Sequence, residues 1–314
     1  MQRGDRMLTL PAEEGARQLV LILLADAETA ATRLARATGA EPLHDFRVAV
    51  RRLRSLMRAL RPWLPHLKRR HERRLGRLAR STNQVRDAQV HLAWLRGPGR
   101  QVAIASRRAG YELVVSRLET RLHQGPLATE LVERFRRLGT KLTRRLHRSV
   151  PAGPDALGVV MAKLLRAQRE AFTTRMALVG GAADQEGAHR ARIEGKRLRY
   201  LLEPTRSWRS AGARRLLARL KDAQTALGEL HDAHVLSVEL ADALSSAPET
   251  KTRRPVPQAD PRPGIVALAV RLTRHRNAMH AAVERQWRAS EMAQLAQDVE
   301  AVAAALETAT RGET

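Results

Sequence analysis

Apolar positions recur every three or four residues along this chain, from about Leu8 to Leu306, in segments dominated by Leu, Ala and Arg. That spacing predicts amphipathic helices, and the alternation and Val/Ile clustering of strands are scarce. The expected fold class is all-α. Turns are marked by RGPGR at Arg96–Arg100, SVPAGPD at Ser149–Asp155 and VGGAADQEG at Val179–Gly187. The stretch 243–264, with five prolines, is expected to be a mobile loop. The longest apolar run, Leu19–Ala25, falls far short of the roughly 18 residues of a membrane span. Acidic neighbours on both sides favour a core-facing helix there over a signal peptide. The expected location is cytoplasmic.

An internal repeat organises these helices. HDFRVAVRRLRS at His44–Ser55 matches HRARIEGKRLRY at His189–Tyr200, an offset of 145 residues. The same register pairs Arg69 with Arg214, Arg70 with Arg215, Leu75 with Leu220, Asp87 with Asp232 and Val90 with Val235. Chance could supply one Arg-rich match, but not a His, an Asp and a Val in one ungapped register. The chain is therefore read as one domain over 8–306, built of homologous halves 8–150 and 155–306. Each half is expected to form a bundle of about four helices.

On a helical wheel His44, Arg47, Arg51, Arg54 and Arg58 fall in an arc of about 80°, opposite Phe46, Val50, Leu53, Leu56 and Leu60. The second copy places His189, Arg192, Lys196 and Arg199 on one arc, with Leu198, Leu201 and Leu202 opposite. Arg52 and Arg197 sit at about 80° from the His, at the rim of the arc or in a structural role. Arg134, Arg137, Lys141, Arg144 and Arg148 form a third ladder. Its second-half partner is expected in Arg271, Arg274, Arg285 and Arg288, interrupted by Ala278 and Ala281. No Glu occupies a ladder position, so the cations are expected to lack the alternating partners of a solvated helix.

Composition sharpens this. There are 57 Lys+Arg against 32 Asp+Glu in 314 residues, a formal charge of +25. Such self-repulsion costs stability and points to a polyanionic partner. Cys is absent, which excludes disulfides, thiolate metal sites and thiol nucleophiles. His44 and His189 lack a second ligand at i+4, so metal binding finds no support. Asp87 and Asp232 are single carboxylates, read as orienting an Arg or capping a turn. No carboxylate cluster, nucleophile–base pair or Gly-rich phosphate loop stands out, so no cofactor and no catalysis are expected.

HDFRVAVRRLRS, AHRARIEGKRLRYLLE, LARSTNQVRDAQV and LKDAQTALGELHDAHV resemble the signatures of the CHAD family, the conserved histidine α-helical domain. The resemblance implies two pseudo-symmetric helical bundles around a basic channel, inorganic polyphosphate as ligand, and association with polyphosphate granules. The candidate binding residues, taken from the ladders, are His44, Arg47, Arg51, Arg52, Arg54, Arg58, Arg137, Lys141, Arg144, Arg148, His189, Arg192, Lys196, Arg197 and Arg199. Two other readings stay open: a non-specific nucleic-acid-binding protein and a phosphate-polymer hydrolase. The chain has nine aromatics, and the first ladder arc carries none, which disfavours base stacking.

Overall fold

The structure, a computed structural model, describes residues 5–37, 40–207, 212–247, 259–287 and 289–311. Its elements are α1 (Asp5–Thr9), α2 (Ala12–Arg36), α3 (Ala40–Ala59), α4 (Arg69–Arg80), α5 (Asn83–Arg96), α6 (Arg108–His123) and α7 (Ala128–Leu146) in the first half. The second half supplies α8 (Leu157–Ala177), α9 (Gln185–Leu202), α10 (Ala213–Ser245), α11 (Arg262–Gln286) and α12 (Ala289–Arg311). Short 3₁₀ turns bridge several of them, and the described residues form no strand. Of the proline-rich stretch, 248–258 lies outside the described residues.

The offset of 145 carries directly into structure. Ala12 and Leu157 open α2 and α8, α3 matches α9, and α4 with α5 matches the single long α10. In the first half α2, α3, α4 and α7 close a ring of neighbours; α8, α9, the start of α10 and α12 do so in the second. These are the two expected bundles, and one continuous core joins them. Phe46 and Phe135 meet edge-on inside the first, with ring centroids 5.5 Å apart. Leu19, Val20 and Leu24 are buried there, so the apolar run does face a core.

The halves are tied by a reciprocal contact. Ala12 N–H donates to Asp155 C=O and Leu157 N–H donates to Leu10 C=O, both at 2.9 Å. Since 155 and 157 are the repeat partners of 10 and 12, each half makes the same bond to the other, the behaviour of a two-fold axis.

A third packing unit was not foreseen. α5 and α6 from the first half pack with α11 and the end of α10 from the second. Leu92, Leu95, Val114, Leu118, Leu236, Leu240, Ile265 and Leu268 form its separate core. At its centre the backbones of α6 and α11 touch through Gly110 and Gly264. A Cβ on Gly110 would lie 2.1 Å from the Pro261 carbonyl oxygen.

Candidate functional site

Helices α3 and α9 pack together across the junction of the halves. Their polar arcs bring Arg47, Arg51, Arg192 and Lys196 within electrostatic range of one another and of Asp87 on α5 and Asp232 on α10. Burial, then the Arg192 and Arg51 charges, hold the Lys196 ammonium well below its ordinary pKa, with Asp232 opposing. Burial likewise lowers Arg192, and brings Arg47 down to about 10 with help from Arg51. Asp87 is pushed up by burial, against the pull of Arg47 and with a contribution from Asp232. Four cations thus share a half-buried cluster with two carboxylates. Removing charges from water while crowding like signs disfavours the charged forms, and an anion arriving at the cluster relieves that strain.

Local sequence differences seat equivalent arginines in different ways. In the first half the long helix breaks at Ser81–Thr82, where buried Thr82 Oγ1 donates to Ala79 C=O. Arg47 Nη1 donates to that same hydroxyl and its Nη2 to Asn83 Oδ1. The repeat partners of Thr82 and Asn83 are Leu227 and Gly228, and α10 runs through unbroken. There no side chain at 228 reaches toward the arginine, and the Gly228 backbone lies alongside Arg192 Nε. That Nε is buried and has no hydrogen-bond partner among the described residues. A further glycine, Gly76 of α4, accommodates Arg54, whose Cζ would be 3.1 Å from an added Cβ.

The two histidine corners differ. His44 is exposed beside Arg86, whose charge, after partial desolvation, lowers it. The repeat partner of Arg86 is His231, whose ring lies 4.8 Å from that of His189, with the two Nδ1 atoms 3.4 Å apart. Burial, then Arg192 and His189, lower His231 to about 3. One corner carries an arginine beside its histidine, and the other a histidine pair that is neutral at pH 7. In the unfolded chain His231 titrates at about 6.5, so the fold resists its protonation. Stability is therefore whole above about pH 6.5 and declines as pH falls toward 3. A His231→Gln chain is expected to lose about 1 kcal/mol less than wild type between about pH 7 and about pH 4. Urea midpoints measure this; equal losses contradict it.

Comparison with known proteins now decides the family. The CHAD domain model matches residues 20–241, a span that contains both His/Arg helices and both Asp segments. The chain belongs to the CHAD domain family. A crystal structure of the CHAD domain from the plant Ricinus communis aligns over 93% of this chain and 92% of that one, at TM-score 0.63 and 20% identity. Comparison with curated proteins finds no match. Likeness at that identity speaks for the all-helical CHAD fold alone.

Within this CHAD domain the expected ladders do not stay free of carboxylates. Arg58 Nε donates to Glu72 at 2.6 Å, and Glu72 also faces Arg54 and Arg61. Arg199 pairs with Glu203 at 3.2 Å, and Arg197 with Glu194 at 2.6 Å. Arg134 pairs with Glu130 and Arg137 with Glu133, both one turn away. The expectation of carboxylate-free ladders therefore fails for these residues. Glu72 and Glu203 arrive from outside the helix that carries the ladder, or beyond its end, where a wheel does not look. Arg52 Nε meets Glu203 at 2.6 Å across the halves, a structural tie at the rim.

The third ladder also moves. Arg137, Lys141 and Arg144 line a groove with α4, not the α3–α9 junction, and Arg148 is exposed at the end of α7. Its counterpart is not α11, as expected: α12 packs on α8 as α7 packs on α2, whereas α11 corresponds to α6. Arg271 of α11 donates to Pro98 C=O, Arg274 and Arg285 are exposed, and Arg288 lies outside the described residues. Sequence reasoning missed Arg80 and Arg86, which reach Arg54 and His44 electrostatically, and Arg70, Arg74 and Arg77 of α4. The last three step by four and three residues, a ladder signal that was present in the sequence.

Proposed function

We propose that the chain binds inorganic polyphosphate without transforming it, at the junction of α3 and α9. The observation that carries this is the convergence of Arg47, Arg51, Arg192 and Lys196 in one cluster, where burial and crowding make every bound phosphate oxygen valuable. Planar guanidinium groups donate in forks that suit phosphate, and many modest contacts on one polymer multiply. Arg54 with Arg197 and Arg80 extends the cationic track beyond the cluster. Asp87 and Asp232 offset part of the charge on Arg47 and Arg192 in this reading, and take no part in chemistry. Granule association is the location this reading implies. Among the described residues no helix is long and apolar enough to cross a membrane.

Nucleic acid shares the phosphate chemistry, so salt dependence does not separate the two. The aromatic edge of the second arc, Tyr200, is buried at 5% exposure with Arg199 over its ring, which leaves no stacking surface there. A competition titration at matched phosphate concentration tests the choice. Long-chain polyphosphate should displace labelled duplex DNA at about a tenth of the DNA's own displacing concentration or less, about 1.4 kcal/mol of preference. Equal displacement would favour the nucleic-acid reading, and phosphate release on adding magnesium would favour a hydrolase.

A further inference from the structure

We infer that the groove between α4 and α7 is a second oligophosphate site, separate from the α3–α9 junction. It takes its ligand class from the reading above but not its location. In the first bundle α4 and α7 are neighbours, while α2 and α3 are the pair that touches the second bundle. A concavity of about 350 Å³ lies between Arg74 and Arg77 of α4 and Arg134, Arg137 and Lys141 of α7. A second, of about 280 Å³, continues it past Arg70, Arg74, Lys141, Arg144 and Arg145. Arg74 and Lys141 line both, so they form one track. Its floor is apolar, with Leu78 and Leu138, and buried His71 beneath it is held below its ordinary pKa by burial and by Arg145, Arg70 and Arg74.

The repeat provides an internal control. The partner of Arg74 is Arg219 on α10, which faces α12, the counterpart of α7. There Arg219 is neutralised: Nη1 meets Asp298 at 2.6 Å and Nη2 meets Glu291 at 2.7 Å. The partner of Arg77 is itself acidic, Asp222. At these two positions the helix edge is therefore charge-balanced in one half. In the other it carries cations on both walls, of which Arg134 and Arg137 have glutamate partners and Arg74, Arg77 and Lys141 make no ion pair among the described residues. Packing needs only the balanced version. Repulsion left uncompensated across an open groove marks a place for an anion. Two cationic rows at helical spacing on an elongated groove suit consecutive phosphates of a linear chain, held by charge-assisted bonds. A chain with two such tracks can hold two strands of polymer, or two stretches of one.

The test uses calorimetric titration of the full chain with tripolyphosphate, too short to cross a helix about 10 Å broad. Wild type should bind two equivalents. Arg74→Glu/Lys141→Glu should bind one and melt about 2 °C higher, since it restores the charge balance of the other half. Arg51→Glu/Lys196→Glu should also bind one. A single equivalent in wild type, lost only in the junction variant, overturns the groove and leaves the proposed function standing. A single equivalent lost only in the groove variant overturns the junction reading and keeps the groove. Unchanged tripolyphosphate stoichiometry with weakened duplex DNA binding in the groove variant also overturns the inference, in favour of nucleic acid.

Discussion

The Arg51→Glu/Lys196→Glu variant is expected to bind long-chain polyphosphate at the junction at least about 100-fold more weakly than wild type, with helical content unchanged. Hydrogen bonds to charged groups contribute about 1.5–3 kcal/mol each, so losing two removes about 3 kcal/mol or more, or about two decades in Kd. The new carboxylates also repel the ligand and neutralise Arg47 and Arg192, which lie beside the exchanged positions. Folding should survive, because both side chains are half-buried on polar arcs while Leu53 and Leu198 hold the core face. Direct binding measured in the groove-inactivated background, with circular dichroism as the control, reads the effect. Unchanged affinity would remove these cations from the mechanism.

The Gly110→Val variant is expected to be destabilised by about 3 kcal/mol, with polyphosphate affinity retained in the molecules that remain folded. Its new Cβ would meet the Pro261 carbonyl oxygen at 2.1 Å and the Ile265 amide nitrogen at 2.7 Å, both backbone atoms that no rotamer change can move. Overpacking costs about 1–3 kcal/mol and sometimes more, and a rigid obstacle places this case at the upper end. Helix α6 must then withdraw from α11 and open the small core of Leu118, Ile265 and Leu268. Urea unfolding gives the loss. A midpoint equal to wild type would mean that the two helices have slack which their contact does not show.

The repeat was readable because its matched residues keep both identity and spacing: His44 with His189, Arg47 with Arg192, Asp87 with Asp232. From that register came the two halves, while the facing of α3 and α9 across a channel was implied by the CHAD resemblance. The break at Ser81–Thr82 was not readable, since either residue is tolerated inside a helix, and only the Arg47 guanidinium makes the interruption useful. Nor was the third packing unit, which depends on α10 being one helix of 33 residues that serves the second bundle with its beginning and the small core with its end. The tie between Glu203 and Arg52 was hidden for a different reason. Glu203 lies 151 residues from Arg52, and proximity across such a gap is a property of the fold.

The reciprocal bonds between Leu10–Ala12 and Asp155–Leu157 bear on affinity as well as architecture. Together with the small core that both halves build, they clamp the molecule at separate places, so the opposing rows of α3 and α9 are already positioned before any partner arrives. A receptor braced in this way loses little conformational entropy on association. On the proposed reading, binding of a flexible polymer would be opposed mainly by the ordering of the polymer itself.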